Sequence, residues 1–154
     1  MIEIIEGVLK NHHIGSLPRE KLKYTLDRAS IKKEEGALSI EMTLNFVMPI
    51  KARNEIKDAI SEKLNHKINN IKLNFTYKDI IIEKEEAVKL FLPYMIEIIN
   101  GEYLAITKTI QTDNISFNGR NLTIYALGDF AVARLNGDAS KKFESLLKNC
   151  LGID

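Results

Sequence analysis

Three histidines, one cysteine, a run of glutamates and a small group of lysines and arginine are the side chains of this 154-residue chain that could do chemistry. His12 and His13 are neighbours, so their side chains diverge, and His66 lies far along the chain near the end of a surface-patterned helix. A metal site needs convergent ligands with support behind them, which this spacing does not offer. Glu83, Glu85 and Glu86 could serve as a general acid and base, but a helix N-terminus attracts carboxylates for electrostatic reasons alone. A solvated first turn is the plainer reading. Cys150 is the only cysteine, so one chain has no internal disulfide and no cysteine-based zinc site. It sits between Leu147 and Leu151 at helical spacing, which predicts a small buried thiol.

Arg134, Lys141, Lys142 and Lys148 form the one basic group near a helix start that could touch a phosphate backbone. Asp138 and Glu144 interleave with them and no aromatic platform stands nearby, so an ordinary solvated face competes with nucleic-acid binding. The chain has no Walker loop, no dinucleotide fingerprint and no Gly-x-Ser-x-Gly elbow. No cofactor and no metal are expected.

The elements that must position these residues belong to an ordinary composition, 45% hydrophobic and 28% charged. The formal net charge is +1, so no global field draws the chain to nucleic acid or to an anionic membrane. Residues 1–79 carry 14 basic and 11 acidic side chains against 8 and 10 in the remainder, an asymmetry too small to select a partner. No apolar run reaches the roughly 20 residues that span a bilayer, and Glu3 and Glu6 replace the basic start of a signal peptide. A single cysteine suits a reducing compartment, so a cytoplasmic location is expected.

The expected fold class is α+β in two small units, residues 1–79 and 80–154. Ile2, Ile5 and Leu9 share one face of a short first helix that ends at Asn11-His12-His13. Leu22, Tyr24 and Leu26 start a strand, Glu34-Glu35-Gly36 reverses it, and Leu38, Ile40, Met42, Leu44 and Phe46 alternate along the clearest strand of the chain. Ile31 has the opposite parity to Leu26, so a bulge is expected between Asp27 and Ser30 if both are to be buried. After Pro49, Ala52, Ile56, Ala59, Ile60, Leu64 and Ile68 mark a helix closed by Asn69-Asn70, and Ile71, Leu73, Phe75 and Tyr77 return to the sheet. The unit reads αββαβ.

From Glu83 the period becomes helical through Val88, Phe91, Leu92, Met95, Ile96 and Ile99, with a kink or break that Pro93 is expected to cause near Lys89 to Leu92 and an end at Asn100-Gly101. Tyr103 to Ile110 could add a short helix or a loop. Ile115 to Phe117 and Leu122 to Ala126 read as a hairpin around Asn118-Gly119-Arg120-Asn121. A helix capped by Asp129 and another capped by Asp138, the latter with Phe143, Leu146, Leu147, Cys150 and Leu151 inward, complete an ααββαα order.

Several of these segments together resemble the N-terminal region of PolC-type bacterial DNA polymerase III alpha chains. Lys21-Leu-Lys-Tyr-Thr-Leu26, Leu38-Ser-Ile-Glu-Met-Thr-Leu44, Glu55-Ile-Lys-Asp-Ala-Ile60 and Lys72-Leu-Asn-Phe-Thr-Tyr77 carry the resemblance in the first unit. Ala87 to Asn100, Gly119-Arg-Asn-Leu-Thr-Ile124 and Lys141 to Asp154 carry it in the second. The resemblance implies a KH-like second unit of type II whose last strand is missing and would begin after Asp154, the chain being a piece of a longer protein. The full-length protein it resembles is a DNA-directed DNA polymerase with a 3′–5′ exonuclease. None of the family's catalytic aspartates has a counterpart here, so the chain itself is expected to be noncatalytic.

Three functions are therefore weighed. The first is a docking module for replisome proteins, namely a clamp-loader subunit, the primase or the helicase. The second is weak binding of single-stranded nucleic acid by the KH-like unit through Arg134, Lys141, Lys142 and Lys148. A KH grip uses a Gly-x-x-Gly loop, whereas Leu135-Asn-Gly-Asp-Ala139 has one glycine and places Asp138 where a phosphate would lie. The third, a free-standing enzyme, has no constellation of residues to support it.

Overall fold

A computed structural model of the chain describes residues 1–14, 17–107, 110–118, 121–126 and 139–153. The fold is α+β, and the chain divides into two compact units, Met1–Ile82 and Glu83–Asp154. Residues 80–82 thus belong with the first unit rather than the second. Ile82 is buried, and the Ile81 N–H donates to the Asn45 carbonyl at 3.0 Å.

In the first unit, helix α1 (Ile2–Leu9) precedes strand β1 (Tyr24–Lys32), strand β2 (Ala37–Leu44), helix α2 (Ile50–Lys63) and strand β3 (Asn70–Tyr77). The sheet order is β1-β2-β3, with β1 antiparallel and β3 parallel to β2. A hairpin turn joins β1 to β2, and its last residue, Gly36, has φ 59°, where a Cβ would be strained. The parallel pair needs a crossover, which α2 supplies. Alternation then sorts the faces. Leu38, Ile40, Met42 and Leu44 are buried and stand opposite Ile71, Leu73, Phe75 and Tyr77 of β3, so one face carries the apolar rows of both strands. Ile5 and Leu9 of α1 and Ala52, Ile56 and Ile60 of α2 are buried with them. Each of Ile40, Met42 and Leu44, almost wholly removed from water, contributes about 1.5–3 kcal/mol. The other face carries Ser39, Glu41, Thr43, Lys72, Asn74 and Thr76, all partly or fully exposed.

The register of β1 shifts between Leu26, opposite Met42, and Arg28, opposite Glu41, so Asp27 is the extra residue of a bulge. Thr25 Oγ1 donates to one Asp27 oxygen at 3.1 Å and Thr43 Oγ1 to the other at 2.6 Å, which pins the bulge. Its effect is to return Ala29 and Ile31 to the face of Tyr24 and Leu26. Ile31 is nevertheless 57% exposed, because parity assigns a face and does not supply a neighbour to cover it.

Helix α2 ends earlier than its apolar spacing predicts. Leu64 caps it, and Asn65 and His66 take left-handed φ values of 53° and 56°. The Asn65 N–H donates to the Glu62 carbonyl at 3.0 Å and the His66 N–H to the Ser61 carbonyl at 2.9 Å, the paired bonds of a Schellman stop. Leu64 and Ile68 are only half-buried, and Asn69 and Asn70 do not close the helix. Their N–H groups both donate to the Gly36 carbonyl and so fix the start of β3 against the hairpin turn.

The second unit opens with α3 (Lys84–Thr107), a single helix of 24 residues with Pro93 inside it. The sequence predicts an end at Asn100-Gly101, but the helix continues, and the extra short helix considered after Gly101 is its last turns. Ala87, Val88, Phe91, Leu92, Tyr94, Met95 and Ile99 are buried, and the Phe91 and Tyr94 rings stack at 6.0 Å. Burial on most sides of this stretch offsets the hydrogen bond that Pro93 cannot make. Strands β4 (Ile110–Asn118) and β5 (Asn121–Ala126) are antiparallel and pair up to Asn118 opposite Asn121. The strand begins at Ile110 rather than Ile115, since Gln111 to Asn114 are polar and leave no alternation to read. The unit closes with α4 (Ser140–Leu146), which runs into a π-turn, Leu147–Leu151. The helix expected from Asp129 to Leu135 lies outside the described residues, so the described order is α, β, β, α.

Candidate docking surface

The side chain that organises the open end of the three-stranded sheet is Asn45, the one buried polar residue among those described. It follows β2 directly. Its N–H donates to the Lys23 carbonyl at 3.1 Å, and its Oδ1 accepts the Lys23 N–H at 2.9 Å. Its Nδ2 donates to the Lys21 carbonyl at 3.0 Å and its own carbonyl accepts from Ile81. The Lys78 N–H donates to the Leu44 carbonyl at 2.9 Å. The Asn45 side chain therefore ties the segment entering β1 to the end of β2, while its backbone carbonyl and that of Leu44 hold the segment leaving β3, and together these bonds continue the ladder where regular pairing stops.

These ties hold open a groove of about 780 Å³. Ile2 and Glu6 of α1, Tyr24, Leu44 and Ile81 line it, with Lys23, Lys78 and Asp79 at its margins. Ile2 and Ile81 are 52% and 44% exposed, which makes this an apolar recess with a charged rim of both signs. Burial, then the charge of Glu6 and a hydrogen bond to its carboxylate, push the Tyr24 phenol above its ordinary pKa. Asp79 has φ 52°, a left-handed turn that carries the chain from β3 past the groove. The strand residues of the groove belong to β1 and β2, and the outer edge of β3 is a separate surface of the same sheet. Among the described residues no strand pairs with that edge.

The residues singled out from the sequence are placed elsewhere. Lys141 and Lys148 are exposed on α4 and its π-turn, Lys142 is half-buried, and Arg134 lies outside the described residues. Glu144 is exposed three residues after Lys141 and four before Lys148, so an acid stands within the basic stripe. His12 Nε2 lies 3.1 Å from Glu55 Oε1, without hydrogen-bond alignment, whereas His13 is exposed and His66 Nδ1 is 3.1 Å from Ser61 Oγ. The histidines do not converge, and among the described residues no group of three His, Cys, Asp or Glu gathers to hold a metal. Glu85 pairs with Lys89 at 3.3 Å, and Glu83 is exposed. Glu86 is half-buried, with Oε2 making no hydrogen bond to the described residues. Cys150 is exposed rather than buried, because the π-turn rotates it away from the line of Phe143 and Leu147. Partial burial still pushes its thiol pKa up. No described helix is long and apolar enough to cross a membrane.

Sequence reasoning missed Asn45, the Tyr24–Glu6 pair and the unpaired outer edge of β3. The signal for Asn45 was present: it is the one amide in the apolar run from Leu44 to Met48. Comparison with known protein families, with curated proteins and with solved structures gives no match to this chain.

Proposed function

We propose that the chain is a noncatalytic docking module of DNA replication, the N-terminal portion of a PolC-type polymerase III that holds a replisome protein in the cytoplasm. The observation that carries this reading is the surface of the first unit. It carries an apolar groove with a charged rim at the β1–β2 end of the sheet, and a recess of this kind suits protein contact, with buried apolar anchors and a polar margin. The resemblance of both units to the polymerase's N-terminal region supplies the setting, and a clamp-loader subunit, the primase and the helicase are the candidate partners. Polymerase and exonuclease chemistry would then lie in other parts of the longer protein.

The test mixes the purified 154-residue chain with each of those three proteins and measures binding by calorimetry. One of them should bind, and Ile81→Asp should weaken it about tenfold or more by placing a charge on the apolar floor. Binding of none of the three overturns the reading.

A further inference from the structure

We propose that the outer edge of β3 takes an extended acidic segment of a partner protein as a fourth strand of the first unit's sheet. This rests on the docking reading above and names the chemistry of the partner. The sheet has two edges, and they differ. β1 is interrupted by the bulge at Asp27, the kind of irregularity that turns an edge away from further pairing. β3 pairs with β2 in unbroken register from Asn70 to Tyr77, eight residues that span about 26 Å. A regular edge of that length presents evenly spaced backbone donors and acceptors to an incoming strand.

The side chains along β3 define what that strand carries. Leu73, Phe75 and Tyr77 are half-buried on the helix-covered face, where the corresponding row of β2 is fully buried. The Phe75 and Tyr77 rings lie tilted at 6.4 Å, so a pair of aromatic surfaces borders the edge. On the opposite face Lys72 is exposed, and Lys78 continues the same alternation past the strand end. Segment 67–78 holds three lysines and no acid. Glu41 of β2 stands opposite Asn74, Asp79 follows the segment, and Glu35 precedes Gly36, whose carbonyl holds Asn69 and Asn70. A fourth strand that alternates apolar and acidic residues extends the apolar row with one face and meets the lysines with the other. A second copy of the chain would bring three more lysines to the same edge, so the charge selects an acidic partner over self-pairing.

The probe is a ten-residue peptide of alternating valine and glutamate, titrated into the full chain and followed by hydrogen exchange. Saturable binding is expected, with slowed exchange at residues 70–77 and weakening as salt rises. Lys72→Glu with Lys78→Glu should weaken it about tenfold, while unchanged protection of β2 shows that the variant is folded. The same peptide N-methylated at every residue keeps its charge and side chains but has no N–H left for the ladder on either edge, and it should not bind. Binding that survives N-methylation, no binding of the parent peptide, or a dimer formed through this edge in sedimentation overturns the inference. If a replisome protein binds wild type and the lysine variant alike, the docking reading stands and the strand edge falls. If the peptide binds and no replisome protein does, the reverse holds.

Discussion

Asn45→Ala is the sharpest perturbation of the first unit. Alanine keeps both backbone bonds of residue 45 and removes two side-chain bonds, to the Lys23 N–H at 2.9 Å and the Lys21 carbonyl at 3.0 Å. Each such bond contributes about 1 kcal/mol net, and a part-buried donor left without a partner costs somewhat more, so the loss should be about 2–3 kcal/mol. Because the two bonds sit at one end of the sheet, the loss is local first. Native-state hydrogen exchange at residues 23, 45, 78 and 81 should speed up by about 30-fold or more, as expected for 2 kcal/mol. Protection at Ile40 and Met42 should fall less. Asn74→Ala is the matched control. Its Nδ2 reaches Ser39 Oγ at 3.3 Å on the exposed face, and its removal should cost about 0.5 kcal/mol or less. If exchange near residue 45 changes less than about threefold in the Asn45→Ala chain, the amide does not hold the sheet end together and the reasoning fails.

Four further outcomes are expected. Since the Tyr24 phenol is raised by burial and Glu6, its contribution to stability is complete below the unfolded value near pH 10 and is lost as pH rises through the folded value. An ultraviolet titration should show a late ionisation from Tyr24 that Glu6→Gln brings part of the way back, the share due to burial remaining. Asp27→Ala removes the acceptor shared by Thr25 and Thr43 and should lower the urea midpoint by an amount equal to about 1 kcal/mol, without a change in slope. At the left-handed position Asn65, replacement by glycine should be neutral or slightly stabilising, and replacement by alanine should cost about 1 kcal/mol in the same assay. Single-stranded DNA should bind no more tightly than about 10⁻⁴ to 10⁻⁶ M at physiological salt, and submicromolar, salt-resistant binding lost on Lys141→Ala with Lys142→Ala would make the second unit a nucleic-acid reader instead.

The sequence by itself determined the local geometry of this protein. The alternation from Leu38 to Leu44 specifies a strand with one buried face, and the steps of three and four from Ala52 to Ile60 specify α2, because side-chain direction follows the backbone period wherever the chain goes. The parity conflict between Leu26 and Ile31 was enough to locate a bulge, since one extra residue is the only way to bring both to one face. Only the tertiary structure decided what covers each face. Ile31 has the right parity and no neighbour over it, Cys150 has helical spacing and is turned outward by a π-turn, and α3 runs through both Pro93 and Gly101. The candidate docking surface belongs wholly to this second kind. Asn45 bonds residues 22 and 24 positions away, and the edge of β3 exists because its other side is spent on β2. Such pairings depend on which distant segments meet, and a local period carries no record of that.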